Sequence, residues 1–202
     1  MNVTGVSLTV TAFVFGVGFA LAASSQEDSG DDGNGGMTRN QFVSTQSYFL
    51  NGSGLWRQEN PSHKDGDGTP VAWLQSYKWG PGRDSVIIES QGLHDDGSCE
   101  FLFVTVQRYD PAAHATQVHH FGAKGLYLTG ATKLISEDTV QATLSGVLPN
   151  GAALKFRDTK KLDDPAAFSV HAARWDEKTK EWQDLDAVTW TRSEDEARCA
   201  KS

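Results

Sequence analysis

Six histidines, His63, His94, His114, His119, His120 and His171, carry the most versatile chemistry in this chain, since an imidazole can ligate a metal, move a proton or hold a haem iron. Their spacing argues against a metal centre. On a strand, the neighbours His119 and His120 point to opposite faces, and His114 and His120 share a face but lie about 20 Å apart at about 3.3 Å per residue. There is no His-x-His and no Cys-x-x-Cys, and His94-Asp95-Asp96 reads as a solvated turn, so no metal is expected.

Acid–base chemistry needs groups that converge. Glu89, His119, His171 and Arg174 could do so inside a closed fold, which keeps an isomerase or cyclase type of enzyme as an alternative. No Gly-x-Ser-x-Gly, phosphate loop or dinucleotide fingerprint is present, and the favoured reading is not an enzyme. The aromatic residues point to binding. Trp73, Tyr77 and Trp79 share one strand parity, Phe101 and Phe103 share another, and Tyr127 follows soon after. Turned inward they would line a pocket for a small apolar or amphipathic molecule, with His119 or His171 as polar contacts. The competing outcome is that the same rings fill the interior.

These side chains must be held by strands. From residue 54 onward the apolar rhythm has period two, with candidate strands at 55–59, 71–79, 85–91, 99–109, 115–121, 126–134, 139–148, 153–160, 168–175 and 187–192. Turn chemistry such as Asp65-Gly66-Asp67-Gly68 and Gly80-Pro81-Gly82 separates them. No helices alternate with the strands, which excludes a parallel βαβ fold. Before them, Thr38 with Gln41 three residues later starts a short helix that runs to Leu50. The strand at 99–109 is bulky on both parities, so both its faces need cover, the outer one from the helix or a folded-over tail.

Gly54-Leu55-Trp56 and Trp190-Thr191-Arg192 lie almost at opposite ends of this run. Trp190 and Arg192 share a face, and the guanidinium of Arg192 can stack on Trp56. That contact would bring the first strand against the last and close the sheet into an antiparallel up-and-down barrel of about ten strands.

The ends of the chain suggest a compartment. Residues 1–23 are apolar or small and finish in Ala20-Leu21-Ala22, which suits a signal peptidase, so they read as a signal peptide; the alternative is an uncleaved anchor. Residues 24–37 read as a disordered acidic linker, 38–192 as the barrel and 193–202 as a tail. The protein is then exported, periplasmic or extracellular, with no membrane span after cleavage. A formal charge of −8 and the absence of any basic run exclude nucleic acid as a partner. The expected assembly is a monomer or weak homodimer. In an oxidising compartment Cys99 and Cys199 either pair or remain two thiols; pairing would close about 100 residues and contribute on the order of 4 kcal/mol.

Taken together, Gly54-x-Trp56, Trp190 with Arg192, Tyr109-Asp110-Pro111 and the hairpin from Trp175 to Trp182 resemble the calycin group, in particular the lipocalin-like domains of secreted bacterial proteins. The resemblance covers about residues 50–192. It implies a barrel that carries a small ligand, with Gly54, Trp56, Trp190 and Arg192 in structural roles and a disulfide from Cys199 in the tail to Cys99 in the wall. Gly54-Leu55-Trp56-Arg57-Gln58 is also similar to the first strand of haem-binding barrels, which makes haem a lesser alternative to having no cofactor, with His171 the histidine nearest the last strand.

Overall fold

The computed structural model describes residues 37–148 and 150–194. Residues 1–23, where a signal peptide is expected, most of the expected linker and the tail from 195, with Cys199, lie outside the described residues. Met37, which the sequence places in the linker, belongs instead to the core: it is 1% exposed, and the Thr116 hydroxyl donates to its sulfur at 3.3 Å.

One helix, α1 (Arg39–Leu50), precedes the strands. Thr38 caps it as a capping box: the Thr38 hydroxyl accepts from Gln41 N–H at 3.2 Å, and Thr38 N–H donates to the Gln41 side chain at 2.8 Å. The strands are β1 (Leu55–Glu59), β2 (Ala72–Trp79), β3 (Ser85–Leu93), β4 (Cys99–Asp110), β5 (Ala115–Gly122), β6 (Tyr127–Ser136), β7 (Thr139–Val147), β8 (Ala153–Asp164), β9 (Ala167–Asp176), β10 (Glu181–Asp184) and β11 (Val188–Arg192).

Neighbours in sequence pair antiparallel from β1 to β9. β11 then pairs with both β9 and β1, so ten strands form a closed antiparallel barrel. β10 pairs with the far end of β9 and lies in the same lane as β11, with the break between them at Leu185, whose N–H donates to Ala172 O at 2.8 Å. The sequence pattern merges this short strand into the hairpin after Trp175. Four residues with one half-buried side chain leave no period to read.

Closure depends on side chains as much as on backbone. Trp56 and Arg192 are register partners, and the Arg192 guanidinium lies 4.3 Å from the centre of the Trp56 ring. The same guanidinium donates to Tyr48 O at 3.1 Å, to Pro165 O at 2.7 Å and to Asn51 O. Trp56 is fully buried, and its indole N–H donates to Phe49 O at 2.9 Å. Gly54 is required where it stands: its φ is +67°, and a Cβ would come within 2.7 Å of Tyr77 O, whose own N–H donates to Gly54 O.

The helix does not cover the outer face of β4, as the sequence suggested. Phe42 packs on Trp79 and Tyr109, and Phe49 stacks on Tyr77 at 4.9 Å; all three partners face inward, so α1 stoppers one end of the barrel. The outer face keeps Phe101, Phe121, Tyr127 and Val147 exposed. Among the described residues, no helix is long and apolar enough to cross a membrane.

Candidate functional site

Antiparallel partners point their side chains to the same face, so the register sorts inside from outside. Starting from buried Tyr77 and following partners, the inner face carries Trp73, Gln75 and Tyr77 on β2, Ile88 and Ser90 on β3, and Phe103 and Thr105 on β4. It continues through His120 on β5, Leu128 and Thr132 on β6, Ala142 on β7, and Asp158 and Lys160 on β8.

Of the expected wall residues, Trp73, Tyr77 and Phe103 are inside. Phe101 is not. A β-bulge between Ser90 and Gln91 shifts the register, so Phe103 faces Ser90 within, while Phe101 pairs with outward Gln91 and is 48% exposed. Tyr127 and His119 are also outside: Tyr127 sits between Phe121 and Val147, and its hydroxyl meets His119 Nδ1 at 3.0 Å. His171 is exposed and pairs with Thr159 on the outer face, which removes it as a ligand to haem in the interior. Cys99 is disulfide-bonded; Cys199, the chain's other cysteine, lies outside the described residues.

The inner face holds groups that sequence reasoning passed over. Lys160 reaches across from β8 to β2: its ammonium donates to Tyr77 Oη at 3.4 Å, lies 3.9 Å from Asp158 Oδ2 and sits over the rings of Phe49 and Phe168 at 5.5 and 5.8 Å. The Tyr77 hydroxyl in turn donates to Gln75 Oε1 at 3.0 Å. Burial raises the Tyr77 pKa, so the phenol stays neutral and can donate. Burial also raises the Asp158 pKa, against the pull of Lys160. It works against the ammonium of Lys160 too, but Tyr77 and Asp158 outweigh it and raise that pKa.

His120 shares a 2.9 Å hydrogen bond with Thr105 and packs on Phe103 at 4.2 Å. Burial first, then the charge of Lys160, pushes its pKa down to about 4, so the imidazole is neutral at pH 7. Lys160 therefore links β8 to β2 across the interior. Two apolar clusters, one built on α1 and the other on Val118, Leu128 and Leu144, hold most of the other buried apolar side chains.

Around these groups several polar atoms are left over. Asp158 Oδ1, Ser90 Oγ and Thr132 Oγ1 are buried, with no hydrogen-bond partner among the described residues. Leaving such an atom unsatisfied costs about 1–3 kcal/mol. A strand with lysine and aspartate at inward positions reads as amphipathic and solvated, which is why parity alone did not find this band.

One grouping has metal-ligand composition. His63, Asp65 and Asp95 bring one ligand atom each to within 4.8 Å of one another. It is a clasp between two loops: His63 Nε2 meets Asp95 Oδ1 at 3.0 Å, and Nδ1 meets Thr69 O at 3.1 Å.

The site is that of a closed β-barrel with a stoppered end and a polar interior belt. No protein-family model matches the chain, and neither does any curated protein or solved structure.

Proposed function

We propose that this is an exported, lipocalin-like barrel that binds a small amphipathic molecule, with the polar end of the ligand at Lys160, Asp158 and Tyr77 and its apolar part against Trp73 and Phe103. The observation that carries the reading is the surplus of buried polar atoms. Among the described residues, Lys160 has three N–H donors and no acceptor closer than 3.4 Å, and Ser90, Thr132 and Asp158 each keep an oxygen without a hydrogen-bond partner. Side chains placed only to fill a barrel would not carry that burden, and a guest with a hydrogen-bonding head relieves it. Filling by the protein's own side chains is strongest at the α1 end, so the ligand belongs on the other side of the polar belt.

The test is a fluorescence titration with 1-anilinonaphthalene-8-sulfonate, an amphipathic reporter, together with native mass spectrometry of protein from its natural source. Saturable binding that weakens about tenfold in Lys160→Met, the equivalent of one charge-assisted hydrogen bond, supports the reading. No saturable binding and a bare polypeptide mass would overturn it.

A further inference from the structure

The seam that closes the barrel is only half zipped. β1 and β11 pair at Trp56 with Arg192 and at Arg57 with Thr191 and no further, although β1 runs on to Glu59 and β11 starts at Val188. Two hydrogen bonds fix which backbone groups look into the gap. Ser193 N–H donates to Leu55 O at 2.9 Å, so by the period of two Arg57 and Glu59 also turn their peptide groups toward β11. Arg192 N–H donates to Ala166 O at 2.7 Å, away from the seam, so Thr191 and Thr189 turn theirs toward β1. Glu59 and Thr189 would be the next exchanging pair, and they do not pair. The last link is the Thr191 hydroxyl, which donates to Arg57 O at 3.4 Å.

Beyond that link a cleft of about 310 Å³ opens between the strands. Pro61, Ala187 and Val188 give it an apolar side, and Thr189 a hydroxyl. Gln58, 4% exposed, is among its lining residues, and its Oε1 is buried with no hydrogen-bond partner among the described residues. Arg57 and Glu59 at the rim pair with each other, so the rim selects neither sign of charge.

We propose that this cleft is a binding site for an extended peptide segment, whose backbone bridges Glu59 and Thr189 and supplies the donor that Gln58 lacks. The peptide group is the chemistry that fits, because each edge offers both an N–H and a C=O, and only a ligand carrying both at strand spacing answers both edges. The apolar side admits a small side chain such as valine. The site lies in the wall, is separate from the interior belt and does not depend on the ligand reading above.

The test is a ¹⁵N NMR titration of the full chain with N-acetyl-Thr-Val-Thr-Val-amide. The expected result is saturable shifts of the Glu59 and Thr189 amides and of the Gln58 side-chain amide. Affinity should drop about tenfold when the central valine is N-methylated, the worth of one backbone hydrogen bond. Gln58→Leu should weaken binding, and so should Thr189→Pro, which removes a seam-facing N–H donor together with the hydroxyl. Equal binding of the N-methylated peptide, shifts that do not saturate, or slow hydrogen exchange at Glu59 and Thr189 in the free protein, the mark of an already closed seam, would each overturn the proposal.

Discussion

Arg192 and Lys160 are both cations enclosed by the same barrel, and the structure treats them in opposite ways. Arg192 has its donors spent on the carbonyls of Asn51, Tyr48 and Pro165, with its flat face on Trp56. Lys160 has a phenol at 3.4 Å, a carboxylate at 3.9 Å and unpartnered oxygens in the same interior belt. A guanidinium in a fixed fork that meets all its acceptors is a structural clasp. An ammonium short of partners among the described residues is what the proposed ligand head would answer.

The clasp is the place to break the molecule. Trp56→Ala removes a fully buried indole that Tyr48, Phe49 and Phe168 pack against, and is expected to cost about 4 kcal/mol in urea unfolding. An effect under about 1 kcal/mol would show that the barrel closes without it. Arg192→Met keeps the packing stem but strands three carbonyls, and should cost about 3 kcal/mol. An Arg192→Lys variant that restored full stability would mean charge, not the fork, does the clasping.

The interior belt should answer to pH where the clasp does not. His120 is held neutral, with its folded pKa near 4 below an ordinary 6.5. Below pH 6.5 the unfolded chain takes up a proton that the folded one refuses until about pH 4. Stability is therefore lost as the pH falls through that window, by about 2–3 kcal/mol at its lower end. Unfolding midpoints at pH 7 and pH 4.5 should differ less in His120→Phe than in the parent; an unchanged difference would place the burial of this ring in doubt.

Two smaller effects sharpen the contrast. Gly54→Ala forces a Cβ at positive φ against Tyr77 O and is expected to cost about 2 kcal/mol, read from the thermal midpoint. Lys160→Met should cost only about 1 kcal/mol, because the Asp158 carboxyl, already raised by burial, can take a proton once the cation is gone. A loss from Lys160→Met as large as from Arg192→Met would make Lys160 a second clasp and remove the ground for a site.

The strands were largely legible. Period-two runs between Asp-Gly and Gly-Pro turns matched β1 to β9 and β11 to within a few residues, and Thr38 with Gln41 marked the helix start. Where reading failed, a local irregularity or a non-local partner was responsible. Phe101 and Phe103 have the same parity by counting, but the extra residue of a bulge opposite Ser90 and Gln91 flips one of them outward. From the sequence His119 is named as a polar contact, yet inside and outside on β5 are set by the inward faces of β4 and β6, which counting along one strand cannot reveal. Nothing in the sequence marks Lys160 and Asp158, because a charged pair on a strand is normally solvated.

What the sequence determined by itself is whatever depends on neighbours a few residues apart: alternation, turns and the capping box. It also carried the closure, because Trp56 and Arg192 are unusual enough in type and position to find each other across 136 residues. Only the tertiary structure decided which face of each strand is inside, that α1 is a stopper rather than an outer cover, and that the seam parts after Arg57. Those are properties of strands laid side by side, where one bulge or one splayed pair changes the surroundings of every residue beyond it.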